Sequence, residues 1–299
     1  MTSRLNYRRA EFRPVPPLLR AWPLARLEAV GLFRTRWGIA LFFVCLLPGL
    51  IRLAMLLLVF GVIQFGPLSL RNRLATPAAR EVAALDPFRV EFYVEPVLQV
   101  MPGMVFALLL TTLVAARTVA KDRATNALEL YWTRGITPIG YLVAKWVGAT
   151  LLVATITVAV PLALWVTAVL LADDWTLLTT SAWPMLRALA ALGLFTGVWT
   201  AIAVLASLGC RQPNTAMVVF CMLVVGSAAI GFVASRVLRT PELHGSLSLW
   251  HAGGVVARAM AGLPQRGVSV GGSIALLGGL VAGLAWRARA RLRVAAVLS

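Results

Sequence analysis

A charged segment between two long apolar runs is the feature that most constrains this chain. It extends from Arg117 to Lys145, with the apolar runs Val97–Thr112 before it and Val143–Leu171 after it. The hydrocarbon core of a bilayer cannot hold these charges unpaired. The segment therefore lies at one membrane surface, between two helices that cross the membrane.

The composition favours an integral membrane protein of the all-α class. The 299 residues are 60% hydrophobic and 13% charged, with a mean hydropathy of +0.85. A soluble domain could not cover so much apolar surface. Because a bilayer core of ~30 Å needs about 20 apolar residues per helix, the sequence predicts a polytopic protein. Its six transmembrane helices fall at about residues 37–60, 97–116, 139–171, 184–208, 215–234 and 270–286, and form one domain over residues 37–299.

The distribution of basic residues predicts the orientation. The N-terminal region, the charged segment, Arg211 and the arginines after residue 286 all fall on one side of a six-span chain. Basic residues gather on the cytoplasmic side of membrane proteins, so we expect both termini in the cytoplasm of a bacterium and the chain in its inner membrane. The net charge of +17 is then explained by membrane lipid headgroups rather than by nucleic acid.

Residues 1–36 form a basic cytoplasmic tail. Leu18–Phe33 alternates apolar and basic residues with helix-like spacing, which favours an amphipathic helix at the membrane interface. A plain juxtamembrane tail is the alternative. In the first span, Arg52 marks either an intramembrane polar site facing a cavity or partner, or a side chain that extends to the interface because the span is offset.

Three further features predict local structure. Pro161 is expected to bend the third span, since proline removes one helical hydrogen bond. Gly193 and Gly197 form a pair of small residues suited to close helix contact. Two loops, Gly66–Pro96 and Arg236–Val268, are each expected to contain a short helix, the second at about Leu249–Met260.

The sequence contains no motif for catalysis. It has no phosphate-binding G-x-x-x-x-G-K-[ST], no G-x-S-x-G and no H-E-x-x-H, and its three cysteines have no paired spacing. We therefore expect no enzymatic activity, no catalytic residue, no bound cofactor and no metal in this chain. The spans also contain almost no acidic residues, which argues against proton- or sodium-coupled transport. The energy for any transport would then come from another subunit.

Within the charged segment, Ala, Leu and Glu predict a short helix over Asp122–Trp132, ended by Gly135 and Pro138. The surrounding residues resemble the membrane subunit of ABC-2 type ABC transporters. The resemblance lies in four stretches of the sequence: Ala120-Lys121-Asp122-Arg123, Asn126-Ala127-Leu128-Glu129-Leu130, Thr133-Arg134-Gly135-Ile136-Thr137-Pro138 and Tyr141-Leu142-Val143-Ala144-Lys145. Asn126 stands where that family commonly has glycine, and Gly135 where it commonly has proline.

The resemblance implies a permease that exports its substrate, and the sparse polar character of the spans favours a hydrophobic or amphipathic substrate. It also implies a second permease subunit, as a homodimer or a heterodimer, and a separate ABC ATPase, in two copies, that binds ATP and Mg. The short helix would be the coupling helix, which docks in a cleft of the ATPase. The residues assigned to docking are Lys121, Asp122, Arg123, Asn126, Leu128, Glu129, Leu130, Trp132 and Arg134.

Other interpretations stay open at this point. The charges of the segment could simply cap helix ends and face water. The chain could also be a secondary transporter, which would need a buried acid or broken helices in repeated halves, or a membrane-embedded enzyme, or a scaffold subunit that transports nothing.

Overall fold

The structure, a computed structural model, describes residues 21–62, 86, 88–98, 103–133, 136–172, 175–239, 247–264 and 269–297. Over these residues the chain is all-helical. The helices are α1 (Trp22–Gly31), α2 (Arg36–Val59), α3 (Glu91–Leu98), α4 (Gly103–Ala124), α5 (Ala127–Thr133), α6 (Pro138–Thr157), α7 (Ala159–Leu171), α8 (Thr176–Ser207), α9 (Pro213–Val237), α10 (Leu249–Ala261) and α11 (Val270–Val297), with a short 3₁₀ turn at Leu32–Arg34 between α1 and α2.

Six helical segments among the described residues are long and apolar enough to cross a membrane. They are α2, α4, the pair α6–α7, α8, α9 and residues 270–287 of α11. The number of spans predicted from the sequence is therefore confirmed, as is the all-α class. We call the end of the bundle where α4 ends and α6 begins the α5 end, and the other end the opposite end.

The helices of the second and fourth spans have different bounds from the spans predicted from hydropathy. The second span begins at Gly103 rather than at residue 97, because Val97 and Leu98 belong to the separate helix α3. The fourth span begins at Thr176 rather than at Pro184, which lies inside α8. Polar residues or proline lie next to both helix starts, with Gln99 and Pro102 before Gly103 and with Thr179, Thr180 and Ser181 in the first turns of α8, so hydropathy alone places the spans elsewhere.

The third span is divided where proline predicts it. α6 ends at Thr157, and α7 begins at Ala159. Pro161 has no N–H to donate to the carbonyl group of Thr157, and its ring would collide with that carbonyl in a continuous helix. The helix is interrupted at Val158, one turn before the proline.

Helices α3 and α10 lie inside the bundle. The amide of Leu249, at the start of α10, donates to the hydroxyl of Ser227 at 3.1 Å, and Ser227 lies roughly 15 Å before the end of α9 at 1.5 Å per residue. The indole of Trp250 donates to the carbonyl of Leu98, at the end of α3, at 3.2 Å. Both helices therefore reach membrane depth from the opposite end. The sequence predicted the helix α10 but placed it in a loop outside the membrane.

Helix α1 packs along α6. Ala21, Leu24 and Ala25 are buried, and a side-chain carbon at Gly148 of α6 would collide with the carbonyl oxygen of Ala25 and lie 2.8 Å from the Cβ atom of Glu28. Gly148 therefore lets the backbones of α1 and α6 approach closely. Residues 18–20 of the predicted amphipathic helix, and residues 66–85 of the first predicted loop, lie outside the described residues.

The glycine pair of α8 does not form the close helix contact expected from the sequence. An added Cβ atom at Gly193 would meet nothing within 4 Å, and one at Gly197 would contact only the ring of Trp146, at 3.6 Å. The Gly197 carbonyl instead accepts a hydrogen bond from the Trp146 indole at 2.8 Å. The side chain of Trp146, rather than the backbone of another helix, therefore packs against Gly197.

The Gly148 contact predicts a difference between two glycine substitutions. Gly148→Ala should destabilise the protein by about 1–3 kcal/mol, because the new methyl group collides with the α1 backbone. Gly193→Ala, which meets open space, should leave stability unchanged or raise it by about 0.5–1 kcal/mol. Thermal unfolding of both variants in detergent checks this, and equal midpoints for the two would contradict the α1–α6 packing.

Candidate functional site

A buried lysine lies at the α5 end of the bundle. Lys145, in the second turn of α6, is only 3% exposed. Its Nζ atom lies 2.7 Å from Glu28 Oε2 on α1 and 2.9 Å from Asp122 Oδ2 on α4. One ammonium group therefore joins three helices that are far apart in sequence.

Tyr141 completes this cluster. Its hydroxyl group, one turn before Lys145, donates to Asp122 Oδ2 at 2.8 Å, and its ring lies with its centroid 5.5 Å from that of Tyr131 on α5. We call Glu28, Asp122, Tyr141 and Lys145 the Lys145 node. Through Tyr131, helix α5 also contacts the node.

The charged groups of the node stabilise one another in a place with little access to water. Two carboxylate groups face one ammonium group, and Asp122 accepts both the salt bridge and the tyrosine hydrogen bond. Taking such charges out of water is costly, and an intact buried pair offsets that cost only through good geometry. Removal of the lysine alone would leave two half-buried or buried carboxylates next to each other.

A sharp turn separates α4 from α5. The sequence predicted one helix over Asp122–Trp132, but α4 continues to Ala124 and α5 begins at Ala127. Asn126 between them has a φ of 54°, a left-handed conformation that asparagine and glycine adopt most readily. The predicted boundary is therefore corrected: Asp122 and Arg123 belong to the end of the second span, and only the later residues belong to the short helix.

The end of α4 is also joined to the end of α8. Arg123 Nη1 donates to the carbonyl of Leu208 at 2.7 Å, and the amide of Ala120 donates to the hydroxyl of Ser207 at 3.0 Å. The guanidinium group thereby satisfies a carbonyl at the C-terminus of a helix, where positive charge is favourable. A displacement of α4 would therefore reach α8 as well as α6.

The residues assigned to docking from the sequence fall into two groups. Asp122 and Arg123 point into the bundle contacts just described. Lys121, Asn126 and Leu130 are exposed, Leu130 by 52%, whereas Leu128 is half-buried against the core. Glu129 and Trp132 lie on α5, and Arg134 lies outside the described residues. The outer face of α5 is therefore the surface open to a partner.

Arg52 lies inside the bundle. It is 9% exposed, donates to the carbonyl of Phe92 on α3 at 2.8 Å, and stands over the Phe92 ring at 4.8 Å. A second ion pair lies close by, between Glu95 of α3 and Arg258 of α10 at 3.0 Å. The sequence singled out Arg52 but not its neighbours, since Glu95 was assigned to a loop.

The sequence already contained a signal for the node. Lys145 lies inside a helix of high hydropathy, and a lysine there needs an acidic partner. Nothing in the sequence shows that Glu28 and Asp122 supply it, because the partners lie on separate helices. Among the described residues, no group of three His, Cys, Asp or Glu side chains could hold a metal ion.

Comparison with known proteins gave no family: no protein-family model and no curated protein matches this chain.

The buried ion pairs predict a large effect of the lysine alone. Lys145→Met should destabilise the protein by about 3–5 kcal/mol, because it leaves two carboxylates without their cation. The triple variant Glu28→Gln, Asp122→Asn, Lys145→Met should recover a large part of that loss, since no uncompensated charge remains. Thermal unfolding in detergent measures both.

The neighbouring Lys121 supplies the matched control for that experiment. It is exposed, so Lys121→Met should change stability by less than about 0.5 kcal/mol. Equal effects of Lys145→Met and Lys121→Met would show that the node contributes no stability.

Proposed function

We propose that this chain is the membrane-spanning subunit of an ATP-driven ABC-2 type transporter, and that a separate ATPase docks on α5. One observation carries the proposal: a short helix with an exposed outer face stands between two spans, and the Lys145 node joins those spans where the helix connects them. The resemblance of residues 120–145 to ABC-2 membrane subunits supports the choice of family. The Lys145 node provides a route from the docking surface to the bundle.

The proposed mechanism follows from the contacts around α5. ATP and Mg bind to the ATPase, whose closure displaces α5. The neighbouring rings of Tyr131 and Tyr141, with centroids 5.5 Å apart, pass the displacement to α6, and the Lys145 salt bridges pass it to α4 and α1. Because the salt bridges and the Arg123 contact are short, these helices move together rather than separately.

The same proposal assigns the remaining partners. Both termini and α5 lie in the cytoplasm, and α1 lies at the inner surface of the bacterial cytoplasmic membrane. A second permease subunit, identical or different, pairs with this one, and two ATPase copies dock on the pair. The transported substrate is hydrophobic or amphipathic and is exported, as the apolar spans favour.

A second candidate function is secondary transport. One observation favours it: Glu95 is half-buried inside the bundle and paired with Arg258 at 3.0 Å, and acidic groups at membrane depth often carry protons in such transporters. Uptake or efflux assays with Glu95→Gln distinguish the two. Loss of proton-driven transport, with no ATPase required, would favour this candidate.

The proposed orientation predicts the labelling of two exposed positions. In a variant with its native cysteines replaced, Thr125→Cys should be protected from a membrane-impermeant maleimide in intact cells, because it lies at the α5 end. Leu238→Cys, at the far end of α9, should be labelled. The reversed pattern would place α5 outside the cytoplasm and remove the docking surface.

The docking surface predicts an effect of one exposed leucine. Leu130→Asp places a charge on the outer face of α5 and should reduce co-purification of the ATPase at least tenfold, since burying an unpaired carboxylate in an interface costs more than the ~1.4 kcal/mol that a tenfold loss requires. Leu238→Asp, at a leucine of the opposite end that is also more than half exposed, is the matched control and should retain the ATPase.

If both variants retain the ATPase, or if the wild-type chain binds none, α5 is not a coupling helix. Normal membrane insertion of both variants, checked by their yield and elution profile in detergent, is required for either conclusion.

A further inference from the structure

A groove on the side of the bundle lies between α9 and α11. Both helices pack against α10, and an open space of about 470 Å³ remains between them. It is lined by Ser227 of α9, by Leu247 and Leu249 around the start of α10, and by four residues of α11 between Ala275 and Leu280. We call this space the α9–α11 groove.

The groove lies at the depth of the hydrocarbon core. Its two walls, α9 and residues 270–287 of α11, are both long and apolar enough to cross a membrane. At 1.5 Å per residue, Ser227 lies roughly 15 Å from the end of α9, and the lining residues of α11 lie roughly 8–15 Å from its start. Both of these helix termini are at the opposite end of the bundle. Since each leaflet contributes about 15 Å of a 30 Å core, the groove lies within the leaflet at the opposite end.

Small residues keep the groove open along α11. Ala275 and Gly279, one turn apart, are both exposed. A Cβ atom added at Gly279 would meet nothing within 4 Å. A large side chain at position 279 would therefore occupy the space that now lies between the two spans.

The lining offers no free polar group to an occupant. None of the described lining residues is charged, and the Ser227 hydroxyl already donates to the Val224 carbonyl at 2.7 Å and accepts from the Leu249 amide at 3.1 Å. A charged headgroup would be unpaired here, and a water molecule would lack the two to four polar partners that hold it. The occupant that matches this lining is hydrocarbon.

The size of the groove favours an alkyl chain over a helix. A helix about 10 Å wide fills on the order of 400 Å³ per turn, so the groove has room for about one turn. A second copy of the chain would instead present a span of about 20 residues. An unbranched alkyl chain is narrower than a helix and can enter the groove from the surrounding lipid.

We propose that the α9–α11 groove binds one acyl chain of a phospholipid from the leaflet at the opposite end. The acyl chain lies between Ser227 and Gly279, and the headgroup stays at the membrane surface near the start of α11. Because this acyl chain contacts two spans and α10 at once, it dissociates more slowly than the lipids that only surround the bundle. The site goes beyond the proposed function and is tested on the full chain without any ATPase.

The test asks which lipid stays bound when the others are removed. The full-length chain is reconstituted in phosphatidylcholine vesicles that contain a trace of phosphatidylcholine with a diazirine in its acyl chain. It is then extracted in detergent, separated from free lipid and irradiated. Mass spectrometry compares residues 247–250 and 275–280 with residues 218–222 of α9, whose exposed side chains do not line the groove. The groove residues should be labelled about fivefold more, the ratio that some ten additional carbon–carbon contacts provide.

Two neighbouring glycines of α11 supply the variant and its matched control. Gly279→Leu fills the groove and should reduce labelling of residues 247–250 to the level of residues 218–222. Gly278→Leu adds the same side chain at an exposed position that also meets nothing within 4 Å and does not line the groove, so it should leave the labelling unchanged. Equal labelling of groove and reference residues in the wild-type chain, or labelling that survives Gly279→Leu, overturns the proposal.

A cross-linking experiment tests the other possible occupant, a second copy of the chain. In a variant with its native cysteines replaced, Ala275→Cys should form no disulfide-linked dimer when the vesicles are oxidised, because lipid fills the groove. A dimer in high yield would show that a second copy covers this face, and it would also overturn the proposal.

Discussion

A single buried ammonium group determines how the α5 end of this protein is assembled. Lys145 cannot lie in an apolar helix without carboxylate partners, and the two it has are on α1 and α4. Its salt bridges lie beside the close α1–α6 approach at Gly148 and one turn from Tyr141, whose ring contacts Tyr131 of α5. Because the charges lie at a helix junction, they fix the relative positions of α1, α4 and α6 at the connection to α5.

The opposite end of the bundle is built differently. There α3 and α10 descend between the spans and meet where Trp250 donates to the carbonyl of Leu98. Their charges, Glu95 and Arg258, are paired with each other at 3.0 Å. The bundle is therefore closed by short helices at the end away from α5. In the proposed transport cycle, a displacement at α5 would have to separate these helices before a substrate could leave.

The sequence predicts the parts of this fold that depend on local chemistry. Hydropathy predicts six spans, and Pro161 predicts the break before α7. A short helix at about Leu249–Met260, which corresponds to α10, was also predicted. Prediction from the sequence fails where two helices share one apolar run, as at Val97, and where a proline lies inside a helix, as at Pro184. It also fails for the Lys145 node and for the depth of α10, because both are set by contacts between residues far apart in the chain. In the sequence, the only sign of the left-handed turn at Asn126 is that ABC-2 membrane subunits commonly have glycine at this position.

Lys145 joins α1 and α4 to α6, and α5 contacts this unit through Tyr131 and Tyr141; amide hydrogen exchange tests this arrangement most directly. Exchange is compared between the wild-type chain and Lys145→Met in detergent, over residues 22–31, 127–133 and 213–237. Faster exchange is expected in the first range, because α1 loses its salt bridge to α6, and in the second, because the Asp122–Tyr141 contact beside α5 loses its cation, with no change in the third. Unchanged exchange in α1 and α5, in a Lys145→Met variant that is still folded, would contradict it.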